Sequence, residues 1–151
     1  MNLITPLLQP GNVLADAETT SKKRLFEQVG QLFQTSQGVT AGEVFESLFS
    51  REKLGSTALG YGIAIPHGRI KHLGETACAF LRLKTPIDFD APDQQPVDLV
   101  FVLLAPAAAT DIHLQILGEL AAMFSDEEFR AKLRAAPDAG ELYRLITEWT
   151  P

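Results

Sequence analysis

Apolar residues recur at helical spacing in five segments of the chain, and each segment opens with a residue type that caps helices. The predicted first residues are Thr20 or Ser21, Thr40, Thr110 or Asp111, Ser125 and Asp138. The cap residues at 40, 125 and 138 precede a glutamate by three positions, which is the pattern of a capping box. The segment from residue 110 to about 124 is apolar around most of its circumference, so we expect that helix to be buried on most sides.

Four β-rich segments alternate with these helices. They are Val13–Ala15, Ile63–Ile65, Thr76–Lys84 and Val97–Leu104. The last is almost continuous in valine, leucine and phenylalanine, which favours a central strand covered on both faces. Alternating helices and strands, without repeats or linkers, predict an α/β or α+β fold in which residues 1–151 form a single domain.

Composition narrows the class of protein. The 151 residues are 46% apolar and 21% charged, which is typical of a globular protein. The net charge of −6 argues against nucleic acid binding, because phosphate backbones require a basic surface. A single cysteine excludes a multi-cysteine metal site and fits a reducing cytosol. No apolar run is long enough for membrane insertion, and the N-terminus lacks signal-peptide features. We therefore expect a cytoplasmic protein.

One window, residues 51–69, differs from the rest of the chain. Residues 55–74 hold five of the eleven glycines, and Arg51, Lys53, Arg69 and Lys71 make this region basic within an acidic protein. Glycine turns that free backbone N–H groups, together with arginine side chains, are suited to a phosphate or carboxylate ligand. The alternative is a set of tight turns next to a solvated basic face.

Two of the three histidines have a context that favours function. His67 lies between Pro66 and Gly68 at the end of a predicted strand, where a rigid turn would present the imidazole as a base, metal ligand or nucleophile. His113 falls in the first turn of a predicted helix, where the helix dipole favours a neutral imidazole. Such a ring would bind an anion or orient a second histidine. A purely structural role is the alternative for both, and His72 is expected at the surface.

The same residues argue against a metal site. His67, His72, Cys78 and His113 are the available nitrogen and sulfur ligands, and their spacing matches no compact zinc motif. Cys78 falls within a predicted strand, where a core position is expected. We therefore predict neither a metal nor a cofactor.

The sequence of this glycine-rich, basic window resembles that of a known protein family. The stretch REKLGSTALGYGIAIPHGRI closely resembles the active-site segment of the enzyme IIA components of the bacterial phosphoenolpyruvate-dependent phosphotransferase system, of the fructose/mannitol type. Within that type it is most similar to the nitrogen-regulatory enzyme IIA, and the likeness covers nearly the whole chain. It implies a single-domain sandwich with a mixed β-sheet flanked by helices, the phosphotransferase/anion-transporter-like fold.

The resemblance also implies roles for individual residues. His67 matches the phosphoacceptor, modified on Nε2 (tele-phosphohistidine) by a histidine phosphocarrier protein. Arg51 matches the phosphate-facing arginine and His113 the second active-site histidine. Weaker candidates for phosphate binding or partner contact are Arg69, Ser56, Thr57 and Gly68.

Three functions fit these features. The first is a regulatory phosphoprotein whose target proteins respond to the phosphorylation state of His67, in nitrogen- or potassium-type regulation. The second is a transport component that passes phosphate to a fructose- or mannitol-specific IIB domain. The third is a small-molecule binding module in which His67 is structural. The absence of an attached IIB or membrane segment, and the residues around His67, favour the regulatory protein.

Overall fold

The structure is a computed structural model and describes residues 2–108 and 111–151. The helices are α1 (Lys22–Gln37), α2 (Ala41–Glu52), α3 (Asp111–Ser125), α4 (Glu127–Ala135) and α5 (Ala139–Glu148). The strands are β1 (Leu8–Ala17), β2 (Ala58–Gly60), β3 (Ile63–Ala64), β4 (His67–Ile70), β5 (Ala77–Ile87) and β6 (Val97–Pro106). A 3-10 turn, Thr5–Leu7, precedes β1.

The strands form one mixed sheet in the order β1-β5-β6-β3-β2, and β4 pairs with β6 beyond β3. Strand β6 runs antiparallel to β5 and parallel to both β3 and β4. The predicted central position of residues 97–104 is confirmed, because β6 has neighbours on both edges and its residues from 99 to 105 are all buried. The predicted strands at 13–15, 63–65 and 76–84 are also found, with different ends.

The sheet lies between two hydrophobic cores. Alternate residues of β5 and β6, such as Leu81 and Val102, pack against α1 and α2. Their neighbours, such as Phe80 and Phe101, pack against α3, α4 and α5 on the opposite face. This is the expected α/β sandwich with a mixed sheet flanked by helices. None of the helices that the structure describes is long and apolar enough to cross a bilayer.

Two of the predicted helix caps are wrong in detail. Helix α4 is capped by Asp126, whose carboxylate accepts from the Phe129 N–H, because Ser125 is still the last residue of α3. Thr40 is the N-cap residue of α2, but its side chain makes no capping hydrogen bond. Gln34 Oε1 accepts from the Ala41 N–H at 2.8 Å in its place. Ser21 and Asp138 cap α1 and α5 as predicted.

Helix α3 is less buried than its apolar composition predicts. Ile112 is 54% exposed and Leu114 is 68% exposed, whereas Ile116 and Leu120 lie in the core. Both exposed residues lie within the first four positions of the helix, on either side of His113. The predicted start at Thr110 lies outside the described residues.

The glycine-rich window forms a hairpin, of which the sequence predicted only the strand at residues 63–65. Strand β2 pairs antiparallel with β3 across a turn at residues 61 and 62. Gly60 and Gly62 adopt positive φ angles of 98° and 80°, a region that favours glycine. Part of the window therefore does consist of tight turns. The chain then forms β4, so His67 begins a strand instead of lying on a turn after one.

Candidate functional site

His67 is held at its position by the sheet. It is the first residue of β4 and lies opposite Leu103 of β6. The backbone before it is also anchored, because the Leu103 N–H donates to the Pro66 carbonyl at 3.0 Å. The Ile65 N–H donates to the Thr57 carbonyl at the same distance. The half-buried imidazole therefore projects from a fixed segment of backbone.

One hydrogen bond determines which nitrogen of His67 is available. Its Nδ1 lies 2.9 Å from the carbonyl oxygen of Ile65. Since a carbonyl oxygen only accepts hydrogen bonds, Nδ1 carries the proton and donates it. The neutral ring then has its lone pair on Nε2. Burial is the largest cause acting on the pKa of His67 and lowers it, as does the positive charge of Arg51. The hydrogen bond to Ile65 and the negative charge of Glu52 act in the opposite direction, but the pKa is lowered overall, which favours this neutral form.

His113 lies beside this ring, in the first turn of α3. The two ring centroids are 5.9 Å apart and the ring planes are tilted by 55°. His113 is only 6% exposed, and burial is the largest cause that lowers its pKa. His67 and Arg69 lower it further. The structure therefore brings two neutral imidazoles together.

Arg51 reaches the same place from the last turn of α2. Its Nη1 donates to the carbonyl of Gly55 at 2.8 Å, which fixes one side of the guanidinium. Arg51 and His67 both line an open cavity of about 250 Å³ between α2, the β2–β3 hairpin and α3. A guanidinium beside an imidazole lone pair provides a binding position for a tetrahedral anion.

Ser56 and Thr57 line this cavity too, but their hydroxyl hydrogens are used within the protein. Ser56 Oγ donates to the carbonyl of Phe89 at 2.6 Å. Thr57 Oγ1 donates to the carboxylate of Glu52 at 2.6 Å. Each hydroxyl has only one hydrogen to donate, so these side chains shape the wall of the cavity in this structure.

Gly68 and Arg69 follow His67 along β4. A Cβ atom at Gly68 would overlap the hydroxyl of Ser47, so this glycine allows β4 to lie directly against α2. Arg69 Nη1 donates to the carbonyl of Ala107 at 2.9 Å, and the charge of Arg69 acts on His113. The sequence expectation of partner contact for these two residues stays a prediction.

Within residues 2–108 and 111–151, no three His, Cys, Asp or Glu side chains converge closely enough to hold a metal ion. Cys78 is a core residue on β5, and burial raises the pKa of its thiol. His72 is exposed, as expected.

Sequence reasoning did not single out two apolar residues of the cavity, Leu59 and Leu117. Leu117 was predictable, because it follows His113 by four positions and therefore lies on the same face of α3. Leu59 was not, because its strand β2 is only three residues long and gives no periodic signal.

An arginine and two imidazoles at the edge of an α/β sandwich have the chemistry that suits phosphoryl transfer, and comparison with known proteins identifies the family. Residues 6–149 match the family model described as phosphoenolpyruvate-dependent sugar phosphotransferase system, EIIA 2. The chain belongs to this enzyme IIA family, as its sequence resemblance implied.

Within the family the chain is similar to nitrogen regulatory proteins. It is 46% identical over 143 residues to the nitrogen regulatory protein of Pseudomonas aeruginosa, covering 94% of this chain and 93% of that protein. The crystal structure of nitrogen regulatory protein IIA-Ntr from Neisseria meningitidis has a TM-score of 0.92 and 44% identity, covering 97% of this chain and 100% of that one. IIA mannitol from Escherichia coli has the same fold, with a TM-score of 0.77, 23% identity and coverage of 91% and 97%.

Proposed function

We propose that this chain is a cytoplasmic regulatory phosphoryl carrier that accepts a phosphoryl group on Nε2 of His67 from a phosphorylated histidine phosphocarrier protein. Target proteins then respond to the phosphorylation state of His67. The observation that carries the proposal is the hydrogen bond from Nδ1 of His67 to the Ile65 carbonyl, which leaves the Nε2 lone pair for attack. Similarity to nitrogen regulatory proteins, with 46% identity in one of them, supports regulation as the role.

The proposed reaction is a direct transfer between two imidazoles. The Nε2 lone pair of His67 attacks phosphorus, the new P–N bond forms, and the P–N bond to the donor histidine breaks. The donor nitrogen keeps the electron pair of that bond. The proton on Nδ1 of His67 stays in its hydrogen bond to the Ile65 carbonyl, whose dipole stabilises the positive charge that develops on the ring.

Arg51 and His113 have complementary roles in this proposal. The phosphoryl oxygens share negative charge in the transition state, and a guanidinium that is already held in place stabilises it without reorganisation. His113 is neutral and close to His67, so one of its ring nitrogens can donate a hydrogen bond to the same group. The protein supplies alignment and electrostatic stabilisation, and no cofactor is required.

Apolar residues around the cavity support a protein as the donor. Leu59 lines the cavity and is half-exposed, while Ile112 and Leu114 are exposed in the first turn of α3, on either side of His113. Exposed leucine and isoleucine side chains next to a small polar site are typical of a surface that contacts another protein. A cavity of about 250 Å³ is also smaller than most small-molecule sites.

The test is incubation with a phosphorylated histidine phosphocarrier protein, followed by intact-mass measurement. We expect an acid-labile gain of about 80 Da, the mass of one phosphoryl group. His67→Ala should abolish this gain, and the matched control His72→Ala, at an exposed histidine, should retain it. A chelator should leave the rate unchanged.

Three outcomes would contradict the proposal. They are a phosphorylated His67→Ala variant, phosphate mapped to Ser56 or Thr57, and bound zinc in a wild type that accepts no phosphate. Rapid onward transfer from phosphorylated His67 to a fructose- or mannitol-specific IIB domain would instead favour the transport function.

A further inference from the structure

The residue after Arg51 is a buried carboxylate that the proposed transfer does not use directly. The side chain of Glu52 is only 3% exposed. It accepts hydrogen bonds from the Thr57 N–H at 3.1 Å and from the Thr57 hydroxyl at 2.6 Å. Lys22, at the start of α1, forms an ion pair with it at 3.0 Å. Glu52 therefore connects α2, α1 and the loop of residues 53–57.

Lys22, at the other end of this network, is also held in place. The ammonium group of Lys22 lies 4.9 Å from the centre of the Phe89 ring and pairs with Asp90 at 3.2 Å. The Phe89 carbonyl accepts from the Ser56 hydroxyl at 2.6 Å. The loop 53–57 is thus held from two directions, by Glu52 at Thr57 and by Phe89 at Ser56.

This loop holds both Arg51 and His67 in place. Its Gly55 carbonyl accepts from Nη1 of Arg51. Its Thr57 carbonyl accepts from the N–H of Ile65, and the Ile65 carbonyl in turn accepts from Nδ1 of His67. A displacement of Thr57 would therefore move the guanidinium and would loosen the hydrogen bond that sets the tautomer of His67.

The electrostatics of Glu52 favour a positioning role over a binding role. A buried negative charge close to the phosphoryl position repels the incoming group. Burying a carboxylate also costs free energy unless it is paired and hydrogen-bonded, and the partners of Glu52 among the described residues are Lys22 and Thr57. An apolar side chain would fill the space without the repulsion, but it would not hold the Thr57 N–H and hydroxyl.

We propose that Glu52 is the positioning residue of the site: its carboxylate holds the loop 53–57, and through that loop it fixes Arg51 and the imidazole of His67 for phosphoryl transfer. This inference rests on the proposed function for the transfer itself. Its structural part, the ordering of Arg51 and His67 by Glu52, is measurable without a phosphoryl donor.

The first test is a double-mutant cycle on the rate of phosphoryl transfer. Glu52→Gln keeps the size of the side chain and removes its charge. We expect it to slow transfer about fivefold in the wild type, and less than about twofold in an Arg51→Lys background, because the two residues act through one arrangement. Equal slowing in both backgrounds, or none in the wild type, would overturn the proposal.

The second test measures order directly by NMR. We expect hydrogen exchange at the Arg51 guanidinium and at Nδ1 of His67 to be faster in Glu52→Gln than in the wild type. Unchanged exchange at both groups would overturn the positioning role. If the wild type accepts no phosphate, the proposed function fails, but this measurement still decides what Glu52 does.

Two further variants separate positioning from general stability. Lys22→Met weakens the network from α1 and leaves the residues of the site unaltered, so it should also slow transfer and speed exchange at Arg51, by smaller factors. Glu141→Gln is the matched control, because it removes the ion pair with Arg144 on α5, a helix of the opposite face of the sheet. It should leave the transfer rate unchanged. If Glu52→Gln fails to fold, Lys22→Met decides the result: unchanged exchange at Arg51 in that variant overturns the proposal.

Discussion

At the scale of the residue, the shape of the Arg51 side chain matters as well as its charge. A guanidinium donates to the Gly55 carbonyl with one nitrogen and retains others for phosphoryl oxygens, whereas a lysine ammonium is a single point. We expect Arg51→Lys to slow transfer to His67 by at least about tenfold, roughly 1.4 kcal/mol of barrier.

Rates of phosphoryl transfer under single-turnover conditions check this expectation. Arg24→Lys is the matched control, because Arg24 lies on the exposed side of α1 and pairs only with Glu27 among the ion pairs described. It should transfer at the wild-type rate. Wild-type rates in Arg51→Lys would mean that any positive charge suffices at this position.

His113 should assist transfer without accepting the phosphoryl group. Removing one hydrogen-bond donor to a developing negative charge slows a reaction by about tenfold or more, so His113→Ala should accept phosphate on His67 slowly. His113→Gln keeps an N–H donor at the end of the side chain and should recover part of the rate. Peptide mapping of the phosphorylated variants checks the position of phosphate. Phosphate on His113 in a His67→Ala variant would contradict this assignment.

The residue types of the site were predictable, but their connections were not. The Pro-His-Gly sequence and the helix-initial position singled out His67 and His113 as candidates, and the family resemblance added Arg51. The hydrogen bond that selects the tautomer of His67 runs to a carbonyl two residues away, and its geometry depends on the pairing of β4 with β6. Glu52 gave no signal in the sequence, because its partners are brought to it only by the fold.

At the scale of the element, the contact between β4 and α2 depends on Gly68. A methyl group there would overlap Ser47, whose backbone lies within 3.1 Å of the added Cβ position, so repacking requires the helix to shift. We expect Gly68→Ala to lower the free energy of unfolding by about 1–3 kcal/mol, the usual cost of overpacking. Urea denaturation measures this change.

The control for this prediction is Gly74→Ala, because nothing lies within 4 Å of a Cβ at that glycine. It should change stability far less. Gly68→Ala should also slow transfer to His67, because a shift of α2 moves Arg51. Equal stability of the two variants would mean that Ser47 moves aside without cost.

Local sequence patterns predicted the start of a helix correctly where the capping hydrogen bond is itself local. Helices α1 and α5 begin at Ser21 and Asp138 as expected, because each cap uses only atoms of its own first turn. At α2 the side chain of Thr40 makes no capping hydrogen bond, and Gln34, from the preceding helix, binds the first N–H, a contact that the local sequence does not predict. The apolar start of α3 predicted burial, but Ile112 and Leu114 lie at the surface beside the site. Composition alone does not distinguish a buried face from an exposed one.

At the scale of the whole molecule, the paired histidines His67 and His113 make the free energy of unfolding depend on pH. Burial lowers the pKa of both His67 and His113 in the folded protein. In the unfolded chain a histidine has a pKa of about 6.5. As the pH falls below that value, the unfolded chain binds protons that the folded protein does not. The free energy of unfolding must then decrease, and the loss continues until the pH reaches the lowered folded pKa values.

We expect this loss to be specific to the two buried rings. A variant carrying His67→Gln and His113→Gln should lose less stability than the wild type between about pH 7 and pH 5, because neither glutamine titrates. His72→Gln is the control, since it removes an exposed histidine outside the candidate site, and it should follow the wild type. Urea denaturation of the three proteins across this range gives the comparison. If the free energy of unfolding of the double variant decreases with falling pH as steeply as that of the wild type, then carboxylates, and not the paired imidazoles, cause the loss.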